Sequence, residues 1–222
     1  MTRTAQRSQL RDAAVSYIKE LIASGRAPAG SHLSLEEIAE TIDTSVTPVR
    51  EALLLLAQDG IVIQERNRGF RVATIRRQDL VDTYFIYSWG AGELVSRAAS
   101  HIDDATVERL RRLEAEMAAL DDNEHQRIED LHFDLHEVIF EFADSPRLEW
   151  FLTASARYVP RHFWATVPGW LEWNRTAHAP IILALERRDP EAARIAMREH
   201  VMTAGSLFIA SFDAREGAEA TA

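Results

Sequence analysis

The 222-residue sequence contains no cysteine. This absence excludes disulfide bonds, thiol nucleophiles and cysteine-based zinc fingers, so a metal site would have to use other ligands. No apolar run approaches the ~20 residues that a helix needs to cross a bilayer, and the first residues lack the apolar core of a signal peptide. We therefore expect a cytoplasmic protein that does not contact membranes.

Strand-like alternation and glycine-rich phosphate loops are both missing from Asp79 onward. Apolar residues instead recur there at helical spacing, and the breaks fall at Asp122-Asn123, Asp144-Ser145-Pro146, Val167-Pro168-Gly169 and Asp189-Pro190. The pattern predicts an all-α antiparallel bundle of six or seven helices.

Positive charge is scarce overall, with a net charge of −10, but it is unevenly distributed. Residues 1–78 carry 11 basic against 9 acidic residues (+2), whereas residues 79–222 carry 14 against 26 (−12). The first part can therefore still contact phosphates, and repulsion of the acidic part from a nucleic acid would orient the protein.

The segment from Ser34 to Gly60 contains two short amphipathic stretches with a polar break between them. Ser34 and Glu37 have the spacing of a capping box, which predicts a helix start at this point. The break, Asp43-Thr44-Ser45, consists of short polar side chains that favour turns over helix. This arrangement predicts a helix-turn-helix.

The second stretch has features of a recognition helix. Pro48 is tolerated only in the first turn of a helix, so the helix should begin near Val46. Ser45, Thr47 and Arg50 then face outward at the N-terminal end, from which recognition helices read base edges.

A β-hairpin should follow Gly60. The apolar runs at residues 61–63 and 70–72 suit two short strands, and Asn67-Arg68-Gly69 suits a turn with positive φ. Arg68 would lie at the tip. A helix-turn-helix followed by such a hairpin is a winged helix, so the predicted fold is mainly α with a small β wing.

Residues 10–72 resemble the DNA-binding domain of GntR-type bacterial transcription regulators. The similarity rests on TPVREAL at 47–53, Asp59-Gly60-Ile61 and Asn67-Arg68-Gly69-Phe70. It implies that Arg50 binds guanine O6 and N7, that Thr47 contacts a phosphate or base, and that Arg68 enters the minor groove. Alternatively, Arg50 and Arg68 are solvated surface charges.

The second part is similar to the helical ligand-binding (FCD) domain of the FadR-like branch of that family. The matching strings are His136 with DSPRL at 144–148, HAPIILALERRDPEAA at 178–193, and Met197 to His200. We expect a winged-helix domain at 8–75, a linker at 76–78, an effector-binding domain at 79–213 and a disordered tail at 214–222.

Four histidines form the candidate metal site. His132 and His136 lie four residues apart on one predicted helix, and His178 and His200 lie on later helices. Imidazoles from three helices can bind a divalent ion such as Zn or Ni. The family resemblance implies a site of one Asp and three His, with His132 standing where the Asp falls. The alternative is that these are hydrogen-bonded structural histidines.

The resemblance also implies a small-molecule effector, usually an organic acid. Arg157, Arg161 and Asn174 are the candidate polar contacts. The candidate walls are Trp164, Trp170, Trp173, Tyr84 and Tyr87, although aromatic residues at helical spacing are also typical of a core. No Lys or Arg lies between Arg77 and Arg97, where acid-binding members often have an Arg, so a less charged ligand is favoured.

These features predict a homodimeric repressor that binds a double-stranded DNA operator under the control of a metabolite, and not an enzyme. The alternative is a metal-dependent hydrolase or lyase with an accessory DNA-binding head. The HFDLH string at 132–136 has the histidine spacing of a zinc protease, but Phe133 stands where HExxH has its general base. A DNA-architectural protein without an effector is a third possibility.

Overall fold

The computed structural model describes residues 3–66, 68–74, 76–155 and 164–219. Their contacts divide them into two compact units: unit 1 covers the described residues up to 74, and unit 2 covers those from 76 onward. The fold is mainly helical with one small sheet, as the sequence predicted. Among the described residues, no helix is long and apolar enough to span a membrane.

Unit 1 combines three helices with a three-stranded sheet. Its elements are α1 (Arg3–Ala23), β1 (His32–Leu33), α2 (Leu35–Thr41), α3 (Val46–Gln58), β2 (Val62–Glu65) and β3 (Gly69–Val72). The first helix starts at Arg3, before residue 8, where the domain was expected to begin. Arg7 forms an ion pair with Glu51 of α3, which attaches this first part of α1 to the rest of unit 1.

The helix-turn-helix has the predicted limits. The Ser34 hydroxyl accepts a hydrogen bond from the Glu37 backbone N–H at 3.2 Å, which caps α2. Pro48 lies in the first turn of α3, where it removes no intrahelical hydrogen bond. The inward face of α3 packs into the core of unit 1; its fully buried residues are Val49, Ala52, Leu53 and Leu56.

The wing is confirmed, and it belongs to a larger sheet than the sequence indicated. Strands β2 and β3 pair antiparallel, with Glu65 opposite Gly69, and β1 pairs with the other edge of β3. Gly69 has a φ of 83°, and the Arg68 backbone N–H donates to the Glu65 carbonyl oxygen at 3.1 Å. This is the positive-φ turn that the sequence predicted, although Asn67 lies outside the described residues.

Unit 2 is a helical bundle. Its elements are α4 (Arg77–Ala98), α5 (Asp104–Ala119), α6 (His125–Glu141), α7 (Pro146–Ser155), α8 (Trp170–Asn174), α9 (Ala179–Glu186) and α10 (Pro190–Glu219), with 3₁₀ turns at Asp122–Glu124 and Trp164–Thr166. The long helices α4 and α10 pack along each other. A Cβ at Gly205 of α10 would lie 2.5 Å from the Tyr84 ring of α4, so the contact requires glycine.

Two expected boundaries differ from the structure. Residues 77 and 78, assigned to a linker, open α4, because the Arg76 backbone N–H donates to the Asp79 carboxylate at 2.9 Å and caps the helix. Residues 214–219, assigned to a disordered tail, continue α10. Alanine, arginine and glutamate are strong helix formers, and here they outweigh the single Gly217.

Candidate functional site

The candidate DNA-reading surface lies on unit 1. Ser45, Thr47 and Arg50 are all exposed at the N-terminal end of α3. The Ser45 side chain makes no cap hydrogen bond, so its hydroxyl remains available to a ligand. No described residue forms an ion pair with Arg50, in contrast to the neighbouring Glu51, which pairs with Arg7. Arg68 is exposed at the wing tip.

The four predicted histidines come together inside unit 2. His132 and His136 lie one turn apart on α6, His178 is the N-cap of α9, and His200 lies on α10. Each is at most 8% exposed, and one ring nitrogen from each lies within 4.8 Å of the others. His32, His101 and His125 do not join this four-histidine cluster, and His162 lies outside the described residues.

The spacing of the ring nitrogens fits a shared ion. His136 Nε2 lies 3.2 Å from His200 Nε2. His178 Nε2 lies 3.1 Å from His132 Nδ1, which also lies 2.8 Å from Asn174 Oδ1. Because an Nδ1–H that donates to Asn174 cannot bind an ion, His132 would bind through Nε2. Two nitrogens bound to one ion at about 2.1 Å would be about 3.0 Å apart at octahedral angles and about 3.4 Å apart at tetrahedral angles. The distance between His136 Nε2 and His200 Nε2 falls within this range, and one nitrogen of each of the four rings lies within 4.8 Å of the others.

Burial keeps the four rings uncharged. Loss of solvent lowers the pKa of His132 to about 3 and that of His200 to about 4. The same burial, with repulsion between the rings, lowers the pKa values of His136 and His178 well below the usual value. Neutral rings offer nitrogen lone pairs, which is the state that a metal requires.

Several neighbours hold the rings in place. Asn174 Oδ1 lies 2.8 Å from His132 Nδ1, and the Asn174 amide donates to the Met117 sulfur. His200 Nδ1 lies 3.3 Å from the Ala177 carbonyl oxygen, which leaves Nε2 facing the cluster. Burial raises the pKa of the Glu114 carboxyl, and the backbone N–H groups of His178 and Ala179 at the start of α9 oppose that shift. Such outer partners orient metal-binding imidazoles.

Asn174 was predicted as an effector contact, and the structure places it, fully buried, against the four-histidine cluster. Arg157 and Arg161, the other two predicted contacts, lie outside the described residues. Sequence reasoning missed Glu114 and Met117, since neither has a motif that marks it as a partner of a later helix.

Aromatic side chains surround the cluster. The Trp170 ring lies 5.4 Å from that of His132 and the Trp173 ring 4.9 Å from that of His200, measured between centroids. Trp164 in turn packs between Trp170 and Tyr84. The Trp170 indole N–H and the Tyr84 hydroxyl are buried and have no partner among the described residues. Buried donors without partners are unusual and suggest that a ligand or water supplies the acceptors.

Comparisons with known sequence families match both parts of the chain. The FCD domain matches residues 91–203, and the family described as bacterial regulatory proteins, gntR family, matches residues 10–72. The FCD match includes all four clustered histidines, and the gntR match includes the exposed end of α3.

Curated relatives match over most of their length. An uncharacterised HTH-type transcriptional regulator of Mycobacterium tuberculosis is 30% identical over 192 residues, which cover 84% of this chain and 75% of the relative. A protein of Paenarthrobacter nicotinovorans named "Probable D-xylose utilization operon transcriptional repressor" is 30% identical over 204 residues, covering 90% and 88% of the two chains.

Solved structures share the fold. Escherichia coli McbR/YncC superposes with a TM-score of 0.69 at 19% identity, covering 91% of this chain and 98% of the other. A transcriptional regulator described as GntR from Rhodococcus sp. RHA1 superposes with a TM-score of 0.62 at 21% identity, covering 90% and 97%. At these identities the likeness establishes the fold alone.

Proposed function

Because the chain belongs to the gntR family of bacterial regulatory proteins and carries an FCD domain, we propose that it is a homodimeric repressor controlled by a metabolite. The observation that carries the proposal is the exposed end of α3, where Ser45, Thr47 and Arg50 face solvent. The domain limits proposed from the sequence, 8–75 and 79–213, separate a DNA-binding head from an effector-binding bundle.

In this proposal Arg50 reads guanine in the major groove, Ser45 and Thr47 contact the backbone or a base, and Arg68 reaches the minor groove. The net charge of −12 on residues 79–222 keeps the bundle away from the duplex. Two heads would occupy two half-sites related by a two-fold axis.

We further propose that the four-histidine cluster binds a divalent transition metal such as Zn or Ni. Nitrogen spacing, neutral rings and oriented imidazoles all support this assignment. When bound, the ion would supply a positive charge and Lewis acidity inside the bundle. Since His132 replaces the family's Asp, the ligands are all neutral and the ion keeps its full charge.

The proposed effector is a small organic acid bound beside the cluster. None of the buried polar side chains among the described residues is a Lys or Arg, so the metal would supply the positive charge that a carboxylate needs. The Trp170 N–H and Tyr84 O–H are donors for its oxygen atoms. Binding controls DNA affinity only if the effector prefers one arrangement of the two heads.

We assign no turnover to the cluster, since Phe133 occupies the position of the HExxH general base. The proposal is tested by selecting binding sites from random DNA duplexes at fixed salt concentration. We expect a two-fold symmetric site with two half-sites. Failure to enrich any sequence would contradict the proposed DNA reading.

A further inference from the structure

Two exposed leucines lie side by side in the C-terminal half of α3, the helix that carries the proposed reading surface. Leu54 is 39% exposed and Leu55 is 38% exposed. Exposure alone assigns no role to a surface leucine, because single apolar residues are common on protein surfaces. The direction in which each side chain leaves the helix distinguishes the two.

Leu54 shares a face of α3 with residues of the reading surface. Residues three, four and seven positions apart lie on one side of an α-helix. Leu54 follows Arg50 by four positions and Thr47 by seven, and all three are exposed. The reading surface therefore continues through Leu54, which lies about 6 Å beyond Arg50 along the helix axis.

Leu55 leaves the helix on a different side. The residues three and seven positions before it, Ala52 and Pro48, are both buried in unit 1. The residue four positions before it, Glu51, pairs with Arg7 of α1. Leu55 therefore lies toward the edge of α3 that borders α1. The two leucines match in type, exposure and helix, and they differ in direction.

A leucine in the major groove can recognise one feature of the bases. Its side chain has no hydrogen-bond donor or acceptor, so it cannot read the polar edges that arginine and threonine bind. The one methyl group that a base presents in the major groove is the C5 methyl of thymine, and apolar side chains contact it. Successive base pairs are about 3.4 Å apart, so a side chain about 6 Å beyond Arg50 lies about two base pairs from the guanine that Arg50 binds.

We propose that Leu54 contacts the C5 methyl group of a thymine within about two base pairs of that guanine, and so selects thymine at this position of each half-site. This inference rests on the proposed function, since it requires α3 to lie in the major groove. It adds a second specified base to the half-site. Covering one methyl group raises the affinity by a factor of about 4 for each half-site, the value for burying one CH₂ group.

The test removes the methyl group from the DNA without changing its hydrogen-bonding atoms. Each thymine of the operator obtained by selection is replaced in turn by deoxyuridine, at the equivalent position of both half-sites. Fluorescence anisotropy at constant salt concentration then measures binding of the full chain. We expect one position in the half-site at which the wild type loses affinity by about 15-fold, the product of two factors of about 4.

Leu54→Ala should bind the thymine and deoxyuridine operators with equal affinity, because the side chain that contacts the methyl group is gone. Leu55→Ala is the matched control and should keep the full loss of affinity on deoxyuridine substitution. Both variants replace an exposed leucine of α3 with a stronger helix former, and thermal unfolding checks that both keep the wild-type fold.

The outcomes separate this inference from the proposed function. If an operator is selected but no deoxyuridine substitution weakens wild-type binding, the inference is wrong and the proposed function stands. A loss of affinity that persists in Leu54→Ala, or that also disappears in Leu55→Ala, would overturn the assignment to Leu54. A selection that enriches no sequence would overturn the proposed function and this inference together, and it is detected before any deoxyuridine operator is made.

Discussion

The two candidate sites of this protein differ in where their side chains lie. The reading surface of unit 1 consists of exposed residues on one end of α3, whose opposite face supplies the core. The four-histidine cluster of unit 2 lies within the core itself, and its rings contact each other and two tryptophans. If the proposed roles hold, binding and stability depend on different residues in unit 1 and on the same residues in unit 2.

This difference indicates whether binding and stability can be changed independently by mutation in each unit. We expect a substitution on the outer face of α3 to change the DNA sequence preference without removing packing contacts. A substitution within the four-histidine cluster removes a candidate ligand and a packed core side chain together. The experiments below test that contrast.

The largest expected effect is that of metal removal on unit 2. A ligand present at ~1,000 times its Kd stabilises the folded state by about 4 kcal/mol, and a domain of this size loses about 2–4 °C in Tm for each kcal/mol. Chelation should therefore lower the Tm of unit 2 by roughly 10 °C, measured by scanning calorimetry, and leave that of unit 1 in place.

His136→Ala should remove the effect of chelation and lower the metal content measured by mass spectrometry. His101→Ala changes an exposed histidine outside the cluster and serves as its control. If the wild type binds no transition metal after reconstitution, the four-histidine cluster is structural, and its residues do not combine binding with packing.

Arg50→Ala should weaken binding to the selected operator by about 1–3 kcal/mol, or roughly 5- to 150-fold, because a bidentate contact to guanine is lost. Fluorescence anisotropy at constant salt concentration measures the change, and thermal unfolding should be unaltered. Arg26→Ala removes another exposed arginine of unit 1, one that pairs with Glu20 away from α3. Equal losses of operator affinity for the two variants would show that Arg50 contributes only non-specific attraction between its charge and the DNA phosphates.

The smallest expected effects are those of substituting Ser34 and Ser45, which precede α2 and α3 and should differ in what they contribute. Ser34→Ala should cost about 1 kcal/mol of stability, since its hydroxyl caps α2. Ser45→Ala should cost little stability, since its side chain makes no cap hydrogen bond, and should instead weaken operator binding. Chemical denaturation and anisotropy on both variants measure the two properties. The reverse pattern would contradict the assigned roles.

Local signals explain most of what the sequence could predict. The caps, Pro48 and the turn at Gly69 each have a backbone requirement that only certain residues meet, so they located α2, α3 and the wing. Strand β1 was missed because two residues show no periodicity; its pairing with β3 is a long-range contact.

The four histidines were predicted from spacing and resemblance, but their partners were not. Asn174 Oδ1 reaches His132 across 42 positions of sequence, a separation that no local pattern encodes. The exposure of large apolar side chains on α4 was missed for another reason. Helical spacing shows that apolar residues share a face, and it does not show whether that face is covered, so Phe85 and Trp89 could not be distinguished from core residues.

The pairing of β1 with β3 has a consequence for operator architecture. Strand β3 is hydrogen-bonded on both edges, to β2 of the wing and to the segment that leads into α2. The wing and the helix-turn-helix are thus joined by the same ladder, which we expect to hold the wing tip at a fixed position relative to α3. Each head should therefore cover a stretch of duplex of fixed length. We expect operators of related proteins to differ more in the spacing between the two half-sites than in the length of each half-site.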